Sequence, residues 1–550
     1  MPRLAGLLLL VAFPSPAAGG ATEPVQSLYE AGEYTKAAAE AEAAVNPQAE
    51  TVFYHGLALA RLERYDEAQA VFEAGRNRYP RDKRFPLELA GVAYRKQQLA
   101  RARWFLRRAL HLDPADEYGN EFLGSLYVVE GDLAAALKYW NRIGKPLIQD
   151  VEVTPPPPIR LVLRERAITI SGGQIFTLAR LRSTEANLDR LDIFARRRIE
   201  LTPGPGDRFN VTVRLLPAGS PLRGWLGRLL PVARGLPYQA IHFDRTNIAS
   251  RAINFGSLWR WDANKRRIDL ELAGPIRMNP RFRYQFGVDA RDENWSLAET
   301  SEDADGTERD FKLKKVSVGG DFLFALTGKL EWTTGVQLTT RGFRNAADTA
   351  LFSDSWSFEQ RNQLSYRLLD IPERRIRVDS IARLRTGRVF TGATSRFGIV
   401  EGDLSGRWNP RAQNDAWEAH ARLRAGQTFG EIPFDELFQL GMERDNDLWL
   451  RGHTGTRDGK KGSAPLGDDY ALLQTGFDRT VARFRFLEVR AGPFFDTGRI
   501  SGPSGFGSSG WLLDTGIAAK IVVAGGLSWS ATYGRDLRGG SGVFYTSVAY

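Results

Sequence analysis

The stretch FRYQFGVD, residues 282–289, alternates large apolar side chains with polar or small ones, and RIDLELA, residues 267–273, does the same. Because successive side chains of a β-strand point to opposite faces, a period of two predicts strands with one apolar and one polar face. Roughly sixteen such segments, each of about ten residues, follow one another through residues 238–550, which is typical of transmembrane β-barrels. The pattern therefore predicts a transmembrane antiparallel β-barrel of about 16 strands over this range.

The amino-acid composition does not by itself reveal a membrane protein. Hydrophobic residues make up 43% of the 550 residues and charged residues 25%, which is typical of soluble chains. A barrel gives only a weak hydropathy signal, and no run of ~18 apolar residues outside the N-terminus predicts a membrane-spanning helix. The absence of cysteine from the sequence excludes a disulfide scaffold and any cysteine-based metal site or nucleophile.

Residues 1–21 have the features of a secretory signal peptide. Arg3 supplies a positive charge, residues 6–13 an apolar core and residues 17–19 a small-residue exit. Together with the barrel, this segment predicts a protein of the bacterial outer membrane whose N-terminal domains lie in the periplasm. The formal net charge of +10 is then better explained by basic loops facing outer-membrane lipid than by nucleic-acid binding.

Residues 25–150 carry an internal repeat. Small and large apolar residues recur together every 34 residues: Gly56, Ala90 and Gly124 are small, whereas Phe72, Leu106 and Trp140 are large. This period and pattern predict tetratricopeptide repeats, an α-solenoid of paired helices. The concave face of such a stack binds proteins or peptides, so we expect a periplasmic protein partner. The same face could instead pack on the barrel of its own chain.

Between the repeats and the barrel we expect a Pro-rich linker and a small domain. Residues 151–158 include four consecutive prolines, which end the helices and form a stiff spacer. Residues 159–217 are expected to form a compact domain: a strand over 167–172, a helix over about 177–194, and a hairpin of strands 198–201 and 209–215. Its sequence TEANLDRLDIFARRRIELTPGPGDRFNVTVRLLP, residues 184–217, resembles a polypeptide-transport-associated (POTRA) domain.

Three short motifs follow in order near the C-terminus. They are Leu-Phe-Gln-Leu-Gly at 437–441, Leu450-Arg451-Gly452-His453, and Phe494-Phe495-Asp496-Thr497-Gly498. Their order and character resemble the BamA/TamA (bacterial surface antigen) superfamily of outer-membrane barrels. In that family an LGG-like element precedes a VRGF/Y-type loop, and a (F/G)xDxG motif follows on strand 13.

The resemblance implies that Arg451 lies on a loop folded into the lumen and pairs there with Asp496. A crowded lumen makes an unpaired arginine costly, so a carboxylate partner is expected. Gly452 permits a tight backbone beside the arginine, and Gly498 a close approach of the loop to the wall. The chain departs from the family at His453, where an aromatic residue is usual, and at Asp478, where a Glu-containing segment is usual.

Both ends of the predicted barrel also resemble this family. Residues 247–255 resemble its NxxGRGxxxxF turn, and residues 270–275 resemble its third strand. The last segment, residues 542–550, has Phe544, Val548 and the terminal Tyr550 where outer-membrane barrels carry their C-terminal strand signal. The glycines at 539 and 540 either weaken this strand or make a hairpin turn.

We find no pattern that predicts an enzyme, a metal site or a cofactor. Carboxylates are plentiful, but Asp292, Glu293, Asp435 and Glu436 have no accompanying nucleophile and base. The pair 435–436 is expected to mark a solvated turn. His453 has no evident partner in the sequence, so a structural role is expected rather than a catalytic one.

These observations give a multidomain α + β chain: an α-solenoid, a POTRA-like α/β module and a transmembrane barrel. The resemblance implies an outer-membrane protein assembly or polypeptide translocation factor. Its partners would be unfolded outer-membrane or secreted polypeptides, captured by the POTRA and repeat domains and by lateral strand pairing. The alternative is a passive export porin for polysaccharide or small solutes, whose repeats recruit a partner.

Overall fold

The computed structural model describes residues 24–218, 235–298, 308–346, 350–391, 394–410, 416–484, 487–502, 510–523 and 528–549. The predicted signal peptide, residues 1–21, and the terminal Tyr550 lie outside the described residues and stay predictions. The chain divides into two compact units, one comprising residues 1–151, 171–178 and 200–211, and the other 152–170, 179–199 and 212–550.

The N-terminal part of the described chain is helical. Its helices are α1 Pro24–Glu30, α2 Tyr34–Ala43, α3 Ala49–Arg61, α4 Tyr65–Arg78, α5 Arg84–Arg95, α6 Leu99–Leu112, α7 Glu117–Val129 and α8 Leu133–Trp140, followed by the 3₁₀ turn Asn141–Ile143. One continuous apolar core joins them, with Phe72, Phe85, Leu106 and Tyr127 fully buried. No helix of the described residues is long and apolar enough to cross a membrane.

Glycines at corresponding positions let the helices of a pair approach closely. A Cβ added at Gly56 would lie 2.4 Å from the ring of Phe72, and one at Gly124 would lie 2.3 Å from the ring of Trp140. The glycines are on α3 and α7 and the rings on α4 and α8. The small and large positions of the 34-residue pattern are therefore partners in contact, which explains why they recur together.

We expect Gly124→Ala to destabilise the helical region by about 1–3 kcal/mol, because the added methyl group overlaps the Trp140 ring and overpacks the pair. Gly91→Ala is the matched control, since a Cβ at Gly91 meets nothing within 4 Å. The control should be neutral or stabilise α5 by about 0.5–1 kcal/mol. Urea unfolding of both variants, followed by helical circular dichroism, measures the difference. Equal midpoints for the two variants would contradict this packing.

A small three-stranded sheet follows the helices. Its elements are β1 Leu147–Thr154, α9 Leu161–Ala167, α10 Leu178–Leu191, β2 Phe194–Pro203 and β3 Arg208–Pro217, and the strand order is β1-β3-β2. The helix and the hairpin predicted for this region are present. The strand predicted at 167–172 is wrong, because α9 ends there and irregular backbone follows it.

The predicted linker, residues 151–158, also needs correction. Its first four residues belong to β1, which alternates apolar and polar side chains up to Thr154. The ladder ends at Pro155 because proline has no backbone N–H to donate. The small domain therefore begins before the predicted boundary at residue 159.

The rest of the chain forms a large sheet and the segments attached to it. Its strands are β4 Ala240–His242, β5 Arg245–Ile248, β6 Ile253–Trp261, β7 Lys265–Pro275, β8 Phe282–Ala298, β9 Glu308–Ala325, β10 Leu330–Arg344, β11 Ser355–Ile371, β12 Ile376–Phe390, β13 Thr394–Trp408, β14 Trp417–Gly430, β15 Phe438–Gln439, β16 Thr456–Arg457, β17 Lys460–Lys461, β18 Leu466–Gly467, β19 Asp469–Arg483, β20 Leu487–Ser501, β21 Leu512–Val523, β22 Ser528–Asp536 and β23 Gly542–Ala549. Short 3₁₀ turns lie at Leu236–Tyr238, Ile276–Met278, Ala350–Phe352, Pro372–Arg374 and Phe434–Glu436.

The long strands pair antiparallel with their neighbours in the chain. The strands β6 to β14 form one continuous run, β19 pairs directly with β14, and the run continues to β23. The strand order then places β23 beside β4, where Tyr238 Oη lies 2.9 Å from Thr546 Oγ1. The predicted number of strands stays a prediction, because residues 219–234 are outside the described part of the chain.

The two faces of the sheet differ in polarity. Many large apolar side chains of one face are exposed, among them Trp259, Phe286, Val318, Val336, Leu338, Phe358, Leu384, Val400, Leu423, Ile517 and Trp529. The opposite face, which we call the inner face, carries the buried charged side chains of the strands. The period of two recognised at residues 267–289 thus separates an apolar face from a charged one.

One end of the sheet lies next to α9 and α10. Arg182 of α10 pairs with Asp370 at 2.9 Å, and Asn254 donates to the carbonyl of Leu191 at 3.0 Å. The backbone N–H of Arg160 donates to the carbonyl of Ser250 at 2.9 Å. Hairpin connections alternate between the two ends, so the long segment after β14 leaves from the opposite end.

Candidate functional site, a loop on the inner face of the sheet

The segment between β14 and β19, residues 431–468, packs on the inner face, and we call it the inserted loop. Its buried side chains Leu440, Leu448 and Leu450 join a cluster with Ile399 and Leu472 of the strands. Phe434, Leu437 and Leu466 join a second cluster with Trp295, Phe311 and Leu313. The loop therefore contacts β8 and β9 as well as β13 and β19, which lie several strands apart in the strand order.

Arg451 of the inserted loop forms a two-pronged ion pair with Asp496 of β20. Its Nε and Nη2 donate to the two carboxylate oxygens at 2.7 and 2.6 Å. Nη2 also donates to the carbonyl of Thr475 at 3.0 Å, and the guanidinium lies 3.8 Å from the centre of the Phe494 ring. The Asp496 side chain is fully buried, and this forked geometry is the strongest form of arginine–carboxylate pairing. The structure thus brings together Arg451, Phe494 and Asp496, three of the residues singled out in the sequence.

The backbone at Gly452 lies directly against the strands of the sheet, which we call the wall. Its N–H donates to Asp514 of β21, and a Cβ at this position would lie 2.6 Å from that carboxylate. On the neighbouring strand, a Cβ at Gly534 would lie 1.9 Å from the carbonyl oxygen of Arg451. Side chains at these two glycines would therefore push the loop away from the wall. Gly498 has a milder role, since a Cβ there would lie 3.1 Å from Leu440.

His453 completes the contact with the wall. Its Nδ1 lies 3.1–3.2 Å from the carboxylate of Asp514, and its Nε2 lies 3.6 Å from Asp536 Oδ2 on β22. Burial lowers the pKa of His453, but the hydrogen bond and charge of Asp514 and the charge of Asp536 outweigh it, so the pKa is raised. The partners that the sequence did not reveal are thus two carboxylates from consecutive strands.

The aspartates that contact residues 451–453, namely Asp496, Asp514 and Asp536, form a row across the sheet. The strand register places Asp496 opposite Asp514, and Asp514 opposite Asp536. We call them the acidic row. Consecutive loop residues, 451 to 453, therefore engage consecutive strands, β20 to β22. A repeated Asp-Thr-Gly triplet, at 496–498 and again at 514–516, is the sequence feature that could have indicated the second aspartate.

The start of the inserted loop is held by a second set of buried charges, which corrects the expectation of a solvated turn at 435–436. The Asp435 and Glu436 side chains are only 4% and 6% exposed. Glu436 lies 3.0 Å from Arg341 and 2.8 Å from Arg385, and Lys315 lies 2.6 Å from Asp435. Two adjacent acidic residues suggest a solvated turn when only their neighbours in the sequence are considered. The cations that pair with them come from strands distant in the sequence.

The same cations determine the ionisation of Glu436. Burial alone would raise the pKa of this carboxyl, but the charges of Lys315, Arg385 and Arg341 outweigh burial and hold the pKa below its usual range. The loop carboxylate therefore stays ionised at neutral pH, and its charge is matched by the wall.

A third set of charges fixes the middle of the loop. Asp445 lies 2.8 Å from Arg260 and 2.7 Å from Arg267, and Glu443 lies 3.1 Å from Lys265. The loop also supplies a cation, because Lys461 pairs with Glu293 of β8 at 2.7 Å. The loop therefore presents both acidic and basic side chains to the strands. The wall strands involved, β6 to β8, lie on the other side of the junction of β23 and β4 from β20 to β22.

The C-terminal strand residues lie apart from this site. Phe544 is 69% exposed and Val548 is half-buried on β23, whereas Tyr550 is outside the described residues. The loop reaches this strand through Trp449, whose ring lies 5.4 Å from that of Tyr545. The glycines at 539 and 540 lie between β22 and β23, with Gly540 in the left-handed region, so they belong to the hairpin connection.

No protein-family profile matches the sequence, and no curated protein is significantly similar to it. Among solved structures, BamA from Haemophilus ducreyi lacking POTRA domains 1–3 aligns at 13% identity over 73% of this chain and 84% of its own, with a TM-score of 0.42. CdiB from Escherichia coli aligns at 14% identity over 74% and 75%, with a TM-score of 0.45. MamA from Desulfovibrio magneticus RS-1 aligns at 21% identity over 22% and 69%, with a TM-score of 0.21. These scores are too low to carry a functional assignment.

Proposed function

We propose that this chain assembles or translocates polypeptides at the bacterial outer membrane, as a 16-stranded barrel with the inserted loop held inside it. The observation that carries the proposal is the attachment of residues 451–453 to the acidic row. A passive channel needs a water-filled lumen. Here the inner face is covered by a loop that buried ion pairs hold in place, which favours an active role for the loop over simple conduction.

The outer face and the end of the sheet support the same proposal. Exposed apolar side chains on one face suit contact with lipid, as in an outer-membrane barrel. A polypeptide substrate would then enter by pairing with a strand edge at the junction of β23 and β4, next to the contact between Tyr238 and Thr546. We further propose that no enzymatic step and no cofactor are needed, since folding or pairing of the substrate supplies the free energy.

The domains before the sheet would capture the substrate in the periplasm. The small sheet has the order β1-β3-β2, so β2 lies at an edge, and an edge strand can pair with an extended segment of another chain. We propose that this domain acts as a POTRA-like module. The helices at residues 25–150 would act as tetratricopeptide repeats and recruit a periplasmic protein.

The junction of β23 and β4 offers a direct test. Tyr238→Cys and Thr546→Cys together allow a short, reducible bis-thiol crosslinker to lock the junction, and no native cysteine interferes. Protein reconstituted in lipid vesicles should lose most of its ability to insert or translocate an unfolded outer-membrane polypeptide when locked, and recover it on reduction. The measurement is the protease-protected or folded fraction of the added polypeptide.

The matched control locks a neighbouring strand pair instead. Ser530 and Ser547 are opposite each other on β22 and β23, with their Oγ atoms 2.6 Å apart. A disulfide between cysteines at these positions should leave activity unchanged. If the junction lock has no effect and the vesicles conduct small solutes or polysaccharide, the porin interpretation is favoured and lateral pairing is excluded.

A further inference from the structure

We propose that the exposed side of α6 docks on a membrane surface that carries anionic phospholipid. Four exposed residues of this helix, Arg101, Trp104, Arg108 and His111, follow one another at helical spacing. This spacing places them on one side of the helix, in a stripe roughly 15 Å long at about 1.5 Å per residue. We call it the arginine–tryptophan stripe. The proposal concerns what the helical region binds, so it does not depend on the transport function.

The exposed tryptophan is the first observation behind this assignment. Trp104 is 51% exposed, although the opposite side of α6 is buried in the helical core. The guanidinium of Arg76, from α4, lies 5.8 Å from the centre of the indole ring. An indole with cations beside it suits the boundary between headgroups and acyl chains, because the ring is partly buried there while guanidinium groups reach the phosphates.

The excess of positive charge around the ring is the second observation. Helix α6 carries four arginines and no acidic residue. Arg101 lies 3.2 Å from Glu73, whereas Arg76, Arg107 and Arg108 have no carboxylate partner within the described residues. Each arginine close to an anionic lipid surface strengthens binding by about five-fold, so these unpaired cations favour a negatively charged membrane.

The next repeat continues the same surface, which is the third observation. The 34-residue period relates Trp104 to Lys138 and Arg108 to Arg142. Equivalent positions of stacked repeats lie on the same side of the stack, so these two cations extend the charge beyond the stripe. Helix α8, like α6, contains no acidic residue.

The spread of the charge decides between a membrane and an acidic polypeptide. The cations come from two repeats and do not converge on one point, which suits a layer of headgroups better than a single anionic group. A bilayer surface accommodates spread charge and one shallowly inserted ring together. An acidic polypeptide would match the charge but leave the ring of Trp104 in water.

Vesicle binding by the full chain tests the assignment. Protein in phosphatidylcholine nanodiscs is mixed with sedimentable vesicles of phosphatidylcholine, with or without about 30% phosphatidylglycerol. We expect binding to the anionic vesicles only, and weaker binding as the salt concentration rises. Trp104→Ala should weaken binding by about ten-fold, since the ring no longer enters the interface. Arg107→Gln combined with Arg108→Gln should weaken it by roughly 25-fold.

Arg95→Gln is the control, because Arg95 is an exposed arginine of α5 that has no carboxylate partner in the described part of the chain. This variant should bind as the wild type does, whereas Arg108→Gln alone should bind about five-fold more weakly. Circular dichroism confirms that each variant keeps its helices.

A fluorescent label supplies a second measurement that needs no loss of binding. The chain has no native cysteine, so His111→Cys allows a polarity-sensitive dye to be placed at the end of the stripe. Its emission should shift to the blue with anionic vesicles. The same dye at Lys36→Cys, where the side chain is 72% exposed on α2, should not respond. Equal binding to both kinds of vesicle, or variants of the stripe that bind like the wild type, would overturn the proposal. Binding of soluble polyglutamate but not of vesicles would also overturn it, and would assign the stripe to an acidic polypeptide.

Discussion

Replacing Arg451 by alanine is expected to detach the tip of the inserted loop and to abolish most of the transport activity. The substitution leaves Asp496, whose side chain is fully buried, without its cation. An uncompensated buried charge costs about 3–5 kcal/mol. Arg451→Lys should recover only part of this loss, because a lysine cannot reproduce the forked contact with both oxygens. Urea unfolding in lipid vesicles measures the free energy, and protease cleavage within residues 431–468 reports release of the loop.

A double-mutant cycle separates the pair from its surroundings. Arg451→Ala and Asp496→Ala should each be strongly destabilising, and the double variant should be less so than their sum. Purely additive effects would rule out the pair as the anchor. Arg377→Ala is the control within the wall: Arg377 is 48% exposed and pairs with Asp379, which is 36% exposed and keeps Arg367 at 3.3 Å. This control should cost about 1 kcal/mol or less and leave the loop protected.

Glu436→Gln is expected to have the second large effect. The substitution removes the charge that faces Arg341 and Arg385, and the Arg341 side chain is only 1% exposed. We expect a loss of about 3–5 kcal/mol in the free energy of unfolding, since buried cations lose part of their compensation. Increased proteolysis near residues 431–437 should accompany the loss. The measurement is the same urea titration in vesicles.

Glu431→Gln provides the control for this prediction. Glu431 is in the same loop but is exposed, so loss of its charge should change stability by less than about 0.5 kcal/mol. Equal effects of the two substitutions would mean that Glu436 contributes no more than a surface charge, and that this part of the loop is held by its apolar cluster alone.

Three features can be predicted from the sequence: the alternating strands, the 34-residue repeat and one ion pair of the site. Period-two alternation indicates strands because it follows from backbone geometry alone. The resemblance of the three C-terminal motifs to an outer-membrane barrel family implies that Arg451 and Asp496 meet, and a carboxylate partner for a lumenal arginine agrees with the cost of burying charge. The joint recurrence of small residues, such as Gly56 and Gly124, with large apolar residues predicts the helix pairs, because paired helices need small residues where they touch.

The rest of the site depends on strand register, which one sequence does not reveal. Asp514 and Asp536 come next to Asp496 only because the register of three paired strands aligns them in a row. Glu436 was expected in solvent, since its cations are supplied by strands about 50–120 residues away in the chain. The strand over 147–154 is not predicted from the sequence, because the prolines that follow it indicate a linker.

The most direct test of the central claim is a quantitative comparison of outer-membrane proteins and surface polysaccharide in cells that lack this protein. Cells complemented with the wild type or Arg377→Ala should recover a defined set of outer-membrane or secreted polypeptides. In cells complemented with Arg451→Ala, at equal amounts of inserted protein, the amounts of these polypeptides should be at least about ten-fold lower. This is the result expected when the loop is detached. An unchanged set of polypeptides, with loss of a surface polysaccharide instead, would contradict the proposed function.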